Sequence, residues 1–302
     1  MTYSIIAKCP ETGQYGVGIQ SHFYGAGNAC WARAGVGVVV TQAMALIDHG
    51  PLGPKLMEMG VSASDALLER LGEDTDPEIR QVAMLDSNGE VAAHTGSLTI
   101  PAAGHVIGEG FSCQANLMWN ESVPQAMSDA FESSDGLLSE RLLSAMFAGQ
   151  NAGGDIRGMQ SGRILVVDTN TTEKEWEGII VDVNVDDHPN PLDELGRLLK
   201  VNSIYSEFTN NGYEFELKQA EAEKFPEIAF WTAINLANKG DLDRGRELLA
   251  IALNEHDGWK ELLIRCSQNN FFGINFIHYF SWIAIFLLYQ FIKIEIEILK
   301  VK

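Results

Sequence analysis

Seven residues at the start of the chain alternate strictly, with Tyr3, Ile5, Ala7 and Cys9 on one parity and Ser4, Ile6 and Lys8 on the other. That period of two predicts a strand beginning at Thr2 with each face committed to a different neighbour. Pro10-Glu11-Thr12-Gly13 is turn chemistry. Gln14 to Ser21 then repeats the alternation, with Tyr15, Val17 and Ile19 against Gly16, Gly18 and Gln20. The pair reads as a hairpin. A third apolar run, Gly35 to Val40, ends in the polar pair Thr41-Gln42, and its unbroken valine content predicts a strand buried on both faces.

Helical spacing follows over Pro51–Met59 and after a cap at Ser62 or Ser64, then strands over Gln81–Leu85 and Val91–Ala93. Gly110–Asn116 reads as a strand. Helices are expected near Ser122–Phe131 and Leu137–Ala148, strands over Arg163–Asp168 and Trp176–Val185, and a helix over Pro191–Val201. Hairpins alternating with helix pairs predict an α+β domain over 1–202 with mostly antiparallel sheets, either two sheets between helix layers or three layers. Residues 203–212 read as a linker, and 213–266 as a helical appendage resembling one tetratricopeptide-type helix pair. One such pair cannot bury its apolar face alone. Residues 267–302 form a hydrophobic tail, uncharged from Phe271 to Ile292, close to the ~20 residues a spanning helix needs. Two readings stand: a foreign or frame-shifted tail, or a segment giving membrane association through 271–292.

Composition narrows the partners. With 21 basic against 41 acidic residues the formal charge is −20, which repels nucleic acid. The four cysteines, Cys9, Cys30, Cys113 and Cys266, lie at neither metal-ligand nor redox spacing, which suits a reducing, cytoplasmic setting. No basic n-region followed by an apolar stretch opens the chain, so no signal peptide is expected. Asp186-Asp187-His188 could suggest a metal set. Adjacent side chains diverge, however, and helix capping by Asp187 with an ion pair to Arg157 or Arg163 is the better reading.

Thr2 leads the candidates for chemistry. Removal of Met1 would give it a free α-amine of pKa roughly 7.7–8.0, able to take the proton of its own hydroxyl. The plain alternative is an ordinary first strand residue. Ser4, on the same face, is the second candidate and needs three residues removed. Ser21 and His22 close the second strand, where His22 is either a proton carrier or an exposed loop histidine. Thr41 and Gln42 end a buried strand, and Gln42 is either an oxyanion donor or a satisfied buried amide. Gln114 and Asn116 share a strand face, where they either contact a ligand or form an ordinary polar face. Cys113 reads as a buried thiol. Gly153-Gly154-Asp155 reads as a loop near a site.

The segments TYSIIAKCPETGQYGVGIQS, WARAGVGVVVTQA, GxSAxxAL at Gly60–Leu67, FSCQANLM, RGMQSGRILVV and VDVNVDDHPNPLDELGRLL together resemble the domain-of-unknown-function family 1028, in order over about 2–200. That family is classed with the N-terminal-nucleophile (Ntn) hydrolases. The resemblance implies a four-layer αββα sandwich and, by analogy, cofactor-free, metal-free hydrolysis of amide or related acyl bonds in a small-molecule or peptide-like substrate. The helical part resembles the family's occasional C-terminal extension, to which peptidoglycan binding is ascribed. It implies a peptide or glycan partner, and helix faces of this kind often pair as homo-oligomers. The rival expectation is a non-catalytic binding module using the same pocket and extension.

Overall fold

A computed structural model describes residues 2–171, 174–211 and 222–268 of the 302. The chain divides into two compact units, Met1–Asn202 and Ser203–Lys302. The first is mixed α+β with two antiparallel sheets, as expected for the α+β class. One sheet has six strands in the order β10-β9-β2-β1-β8-β7. Its members are β1 (Thr2–Lys8), β2 (Tyr15–Ser21), β7 (Gly104–Gly108), β8 (Phe111–Asn116), β9 (Ser161–Val167) and β10 (Ile179–Val185). The other has four, β3 (Cys30–Arg33), β4 (Gly37–Ala43), β5 (Arg80–Asp86) and β6 (Val91–Thr95), in sequence order.

The alternation read at the N-terminus becomes a partition of the core. Tyr3, Ile5 and Ala7 pack with Leu138, Leu142 and Met146 of α4 (Leu138–Asn151). Ile6, with Tyr15, Val17 and Ile19, packs instead on Val38, Val40, Ala83 and Leu85 of the second sheet. The two sheets therefore meet face to face. The outer side of the first is covered by α3 (Val123–Glu132) and α4, and that of the second by α1 (His49–Glu58) and α2 (Ala63–Glu73). Gly18 is required by the first of these contacts, because a Cβ there would stand 2.7 Å from Met146 Sδ. Ser62 caps α2 by accepting from the Asp65 amide at 3.2 Å. The buried side of α2 then delivers Ala63, Ala66 and Leu67 onto Val39, Val82 and Met84.

Three departures from the sequence reading have simple causes. The four-residue β3 and the edge strand β7 were unexpected, since CWAR is short and GHVIG is half-exposed and carries no long apolar run. Residues 203–210 are not irregular: α5 runs from Pro191 to Asn210, across most of the segment expected to be a linker. In the second unit, α6 (Pro226–Asn238) and α7 (Leu242–Glu255) are joined through Gly240 at φ 93°, and α8 (Gly258–Gln268) follows. Phe230, Ala233, Leu248, Leu249 and Leu263 form their shared core. No helix among the described residues is long and apolar enough to cross a membrane, and the 271–292 segment lies outside them.

Candidate active site

The first residue of β1 lies in the floor of a cleft of about 470 Å³ that opens at one end of the two facing sheets. That volume is in the range of small-molecule sites. Antiparallel pairing sets Thr2 opposite Ser21 of β2 and Asn116 of β8, and the Thr2 hydroxyl donates to Ser21 Oγ at 3.1 Å. From the second sheet, the end of β4 supplies Gln42 to the same floor, while Thr41, one position earlier on the pleat, turns its side chain to the α1–α2 side with Val39. The Thr41 hydroxyl oxygen is fully buried and has no hydrogen-bond partner. Just beyond it, Ala43 holds φ 66° in the cleft wall, a left-handed conformation uncommon for a residue with a Cβ.

Beneath the floor runs a buried layer of amides. Gln42 Nε2 donates to Gln81 Oε1 at 2.6 Å and to the Thr2 carbonyl at 3.3 Å, and Asn116 Nδ2 donates to the same two acceptors at 2.9 and 3.3 Å. Ser4 Oγ donates to Gln42 Oε1 and receives Gln114 Nε2, both at 2.7 Å. Gln81 Nε2 in turn reaches Thr95 Oγ1, the Gly104 carbonyl and the Ala115 carbonyl at 2.8–3.1 Å. The Thr2 backbone is thus held by two side-chain amides from opposite sheets.

This sorts the residues singled out in the sequence. Thr2, Ser21, Thr41 and Gln42 line the cleft together. Ser4, Gln114 and Asn116 are fully buried in the amide layer and do not line it. Gln42 has its amide hydrogens engaged by the layer, which fits the satisfied-amide reading. His22 is half-buried, does not line the cleft, and contributes its backbone N–H to Asp155 Oδ2 at 3.1 Å. The ion pairs expected around Asp186–His188 are differently made. Arg157 pairs with Asp155 at 2.7 Å, Arg163 with Asp182 at 2.8 Å, and Asp187 accepts from Gln160. Among the described residues no cluster of three metal-ligating side chains occurs. Cys113 is buried, and burial pushes its thiol far up.

Sequence reading missed Gln81 and Arg80 as site residues and named Arg157 only as an ion-pair partner. Gln81 sits directly opposite Gln42 across the β4–β5 ladder, a pairing that becomes visible only once the register is known. Arg80 and Arg157 both line the cleft. Arg80 donates to Asp74 through Nε at 2.8 Å and to the Met44 carbonyl through Nη1 at 2.5 Å, so it ties the loop after β4 to the body of the domain.

Behind Arg80, the carboxylate of Asp74 also meets His49 Nε2 at 3.2 Å, with both side chains essentially inaccessible. The Arg80 guanidinium, helped by the Asp76 amide, lowers the Asp74 carboxyl to about 2. Burial lowers His49, outweighing the attraction of Asp74 for an imidazolium. In both cases the unfolded chain binds the proton first. The stability these two groups contribute is therefore complete above about pH 6.5, and His49 begins to erode it below that value. Asp74 removes a further increment of about 2 kcal/mol between pH ~4 and ~2. Urea titrations from pH 7 to 2 should show this fall in midpoint. Asp74→Asn should flatten the lower limb and His49→Gln the upper one.

Comparison with known proteins extends this picture. No curated protein matches the chain. The crystal structure of protein SPO2555 from Silicibacter pomeroyi, of family DUF1028, is similar at 28% identity and a TM-score of 0.59, covering 66% of this chain and 88% of that one. The family of unknown function DUF1028 matches residues 2–195, which span both sheets, all four covering helices and every residue of the cleft floor. On that match, this chain belongs to the DUF1028 family.

Proposed function

We propose that the first unit is a four-layer αββα sandwich of the Ntn-hydrolase type and that it hydrolyses an amide or related acyl bond with Thr2 as nucleophile. The observation that carries this reading is the position of Thr2: first in a central strand, in the floor of the cleft, with its hydroxyl beside Ser21 and its carbonyl clamped by Gln42 and Asn116. Removal of Met1 turns the Thr2 nitrogen into an α-amine whose pKa, near 8, suits a general base at neutral pH. The amine takes the hydroxyl proton, Oγ1 attacks the acyl carbon, and the proton passes to the leaving amine. Water then cleaves the threonyl ester, returning the acid and the free hydroxyl. The developing oxyanion needs a donor that is not already spent. Gln42 does not meet that condition, because its amide hydrogens are already engaged by Gln81 and the Thr2 carbonyl.

Two measurements on the purified full chain test the reading. Intact mass should show Met1 absent, and a screen of amide and ester substrates should give turnover that follows an ionisation near pH 8. Retention of Met1 in protein that turns over substrate would exclude Thr2 as the base.

A further inference from the structure

The cleft walls carry a chemistry that the floor does not explain. In a chain with 41 acidic and 21 basic residues, the cleft lining contains two arginines and no carboxylate. Each guanidinium is backed by a carboxylate that solvent does not reach. Asp155 behind Arg157 is 0% exposed, and Asp74 behind Arg80 is 1% exposed. The ion pairs are thus oriented with the cationic end toward the cleft. Arg157, with 30% of its side chain exposed against 14% for Arg80, is the more approachable. It is held in place on two sides of Asp155, through Nε at 3.0 Å and Nη2 at 2.7 Å.

The same cleft is also lined by exposed apolar side chains. The loop after β2 presents Phe23 and Tyr24, and the loop after β4 presents Met44 and Ile47. All four are more than half exposed, an unusual concentration of large apolar side chains around one opening. The Phe23 loop is anchored on the Asp155–Arg157 pair through the His22 amide, and the Met44 loop on Arg80 through the Met44 carbonyl. Each of these loops therefore joins exposed apolar side chains to a guanidinium that lines the same cleft.

We propose that the cleft takes an amide that is anionic at one end and apolar at the other: an N-acylated amino acid, its carboxylate received by Arg157 and its acyl chain gripped between the Phe23–Tyr24 and Met44–Ile47 pairs. The identity of the scissile amide rests on the hydrolase reading above. The ligand class rests on the walls alone. A carboxylate on a pre-oriented guanidinium gains a charge-assisted hydrogen bond that its ester cannot make. Each methylene buried against the rim adds apolar transfer energy.

The test separates binding from chemistry. Calorimetry on the full chain carrying Thr2→Ala compares N-octanoylglycine, its methyl ester and N-acetylglycine. The octanoyl acid should bind about tenfold tighter than its ester. It should also bind more than about tenfold tighter than the acetyl acid. Arg157→Gln should erase the acid–ester difference, and Phe23→Ser with Met44→Ser the chain-length difference. Because Arg157→Gln leaves Asp155 buried without its cation, the acid–ester comparison on an intact Arg157 decides alone if that variant does not fold. Equal affinity for acid and ester, or no saturable binding of either, overturns the proposal. Tight binding of N-octanoylglycine that the Thr2 chain never cleaves sinks the hydrolase reading and leaves the ligand class standing. Cleavage of neutral amides with no preference for the acid does the opposite.

Discussion

Alanine at position 2 should abolish the proposed turnover, by roughly a thousandfold or more, in a protein that still folds. The size follows from what the substitution removes. Thr2→Ala deletes the only atom proposed to form the acyl bond and leaves the α-amine with no hydroxyl to deprotonate, so what survives is the cleft's binding and oxyanion terms. The structural cost is small by comparison. The Thr2 hydroxyl makes one hydrogen bond, to Ser21, of a kind that contributes about 1 kcal/mol. The backbone clamp from Gln42 and Asn116 acts on the Thr2 carbonyl and is untouched. Thr2→Ser keeps the nucleophile and should keep the rate within about tenfold. Single-turnover kinetics on the two variants, beside thermal unfolding, would check both halves. Alanine retaining the wild-type rate would move the chemistry elsewhere in the cleft, and serine failing with alanine would point to packing rather than nucleophilicity.

The largest expected effect on stability belongs to Gln81→Leu, at about 3–5 kcal/mol. Gln81 is the hub of the amide layer. Its Oε1 accepts one hydrogen bond each from Gln42 and Asn116, and its Nε2 donates to Thr95 Oγ1 and the carbonyls of Gly104 and Ala115. Leucine fills a similar volume, so the loss is not a cavity. It is the stranding of two amide donors and of backbone acceptors in a site with no exposure, each costing about 1–3 kcal/mol and not simply additive. Against a typical total of about 5–15 kcal/mol, that is a severe lesion. Urea unfolding should show a large drop in midpoint with an unchanged slope. A change under about 1 kcal/mol would mean that water replaces the missing partner. Because the same hub orients the residues that clamp Thr2, any folded fraction should also turn over more slowly.

The elements that sequence reading found and those it missed differ in how local their causes are. The β1–β2 hairpin, α2 with its Ser62 cap and the paired helices around 123–151 are set by alternation, turn residues and caps within a few positions. The short strands β3 and β7 lack such signals, because each is made by its partner: Cys30–Arg33 by β4, and Gly104–Gly108 by β8. The extension of α5 through 203–210 overrode a stretch rich in Ser, Thr and Asn, residues that favour turns when nothing packs on them. Ile204, Tyr205 and Phe208 give that stretch an apolar side, and it packs into the core of the second unit.

The candidate site divides along the same line. Backbone pleat alone places Thr2, Ser4 and Ile6 on one face and Tyr3, Ile5 and Ala7 on the other, and no tertiary contact is needed for that. Which members of the polar face meet the cleft and which are sealed into the amide layer was decided only when the second sheet closed over the first. Gln42 and Gln81, 39 positions apart, were then brought against Thr2, Ser4 and Asn116. Periodicity is a property of neighbouring residues along one strand. Register and sheet-on-sheet placement depend on contacts across the whole domain, and these turned equivalent strand positions into a cleft floor at Thr2 and a buried support at Ser4.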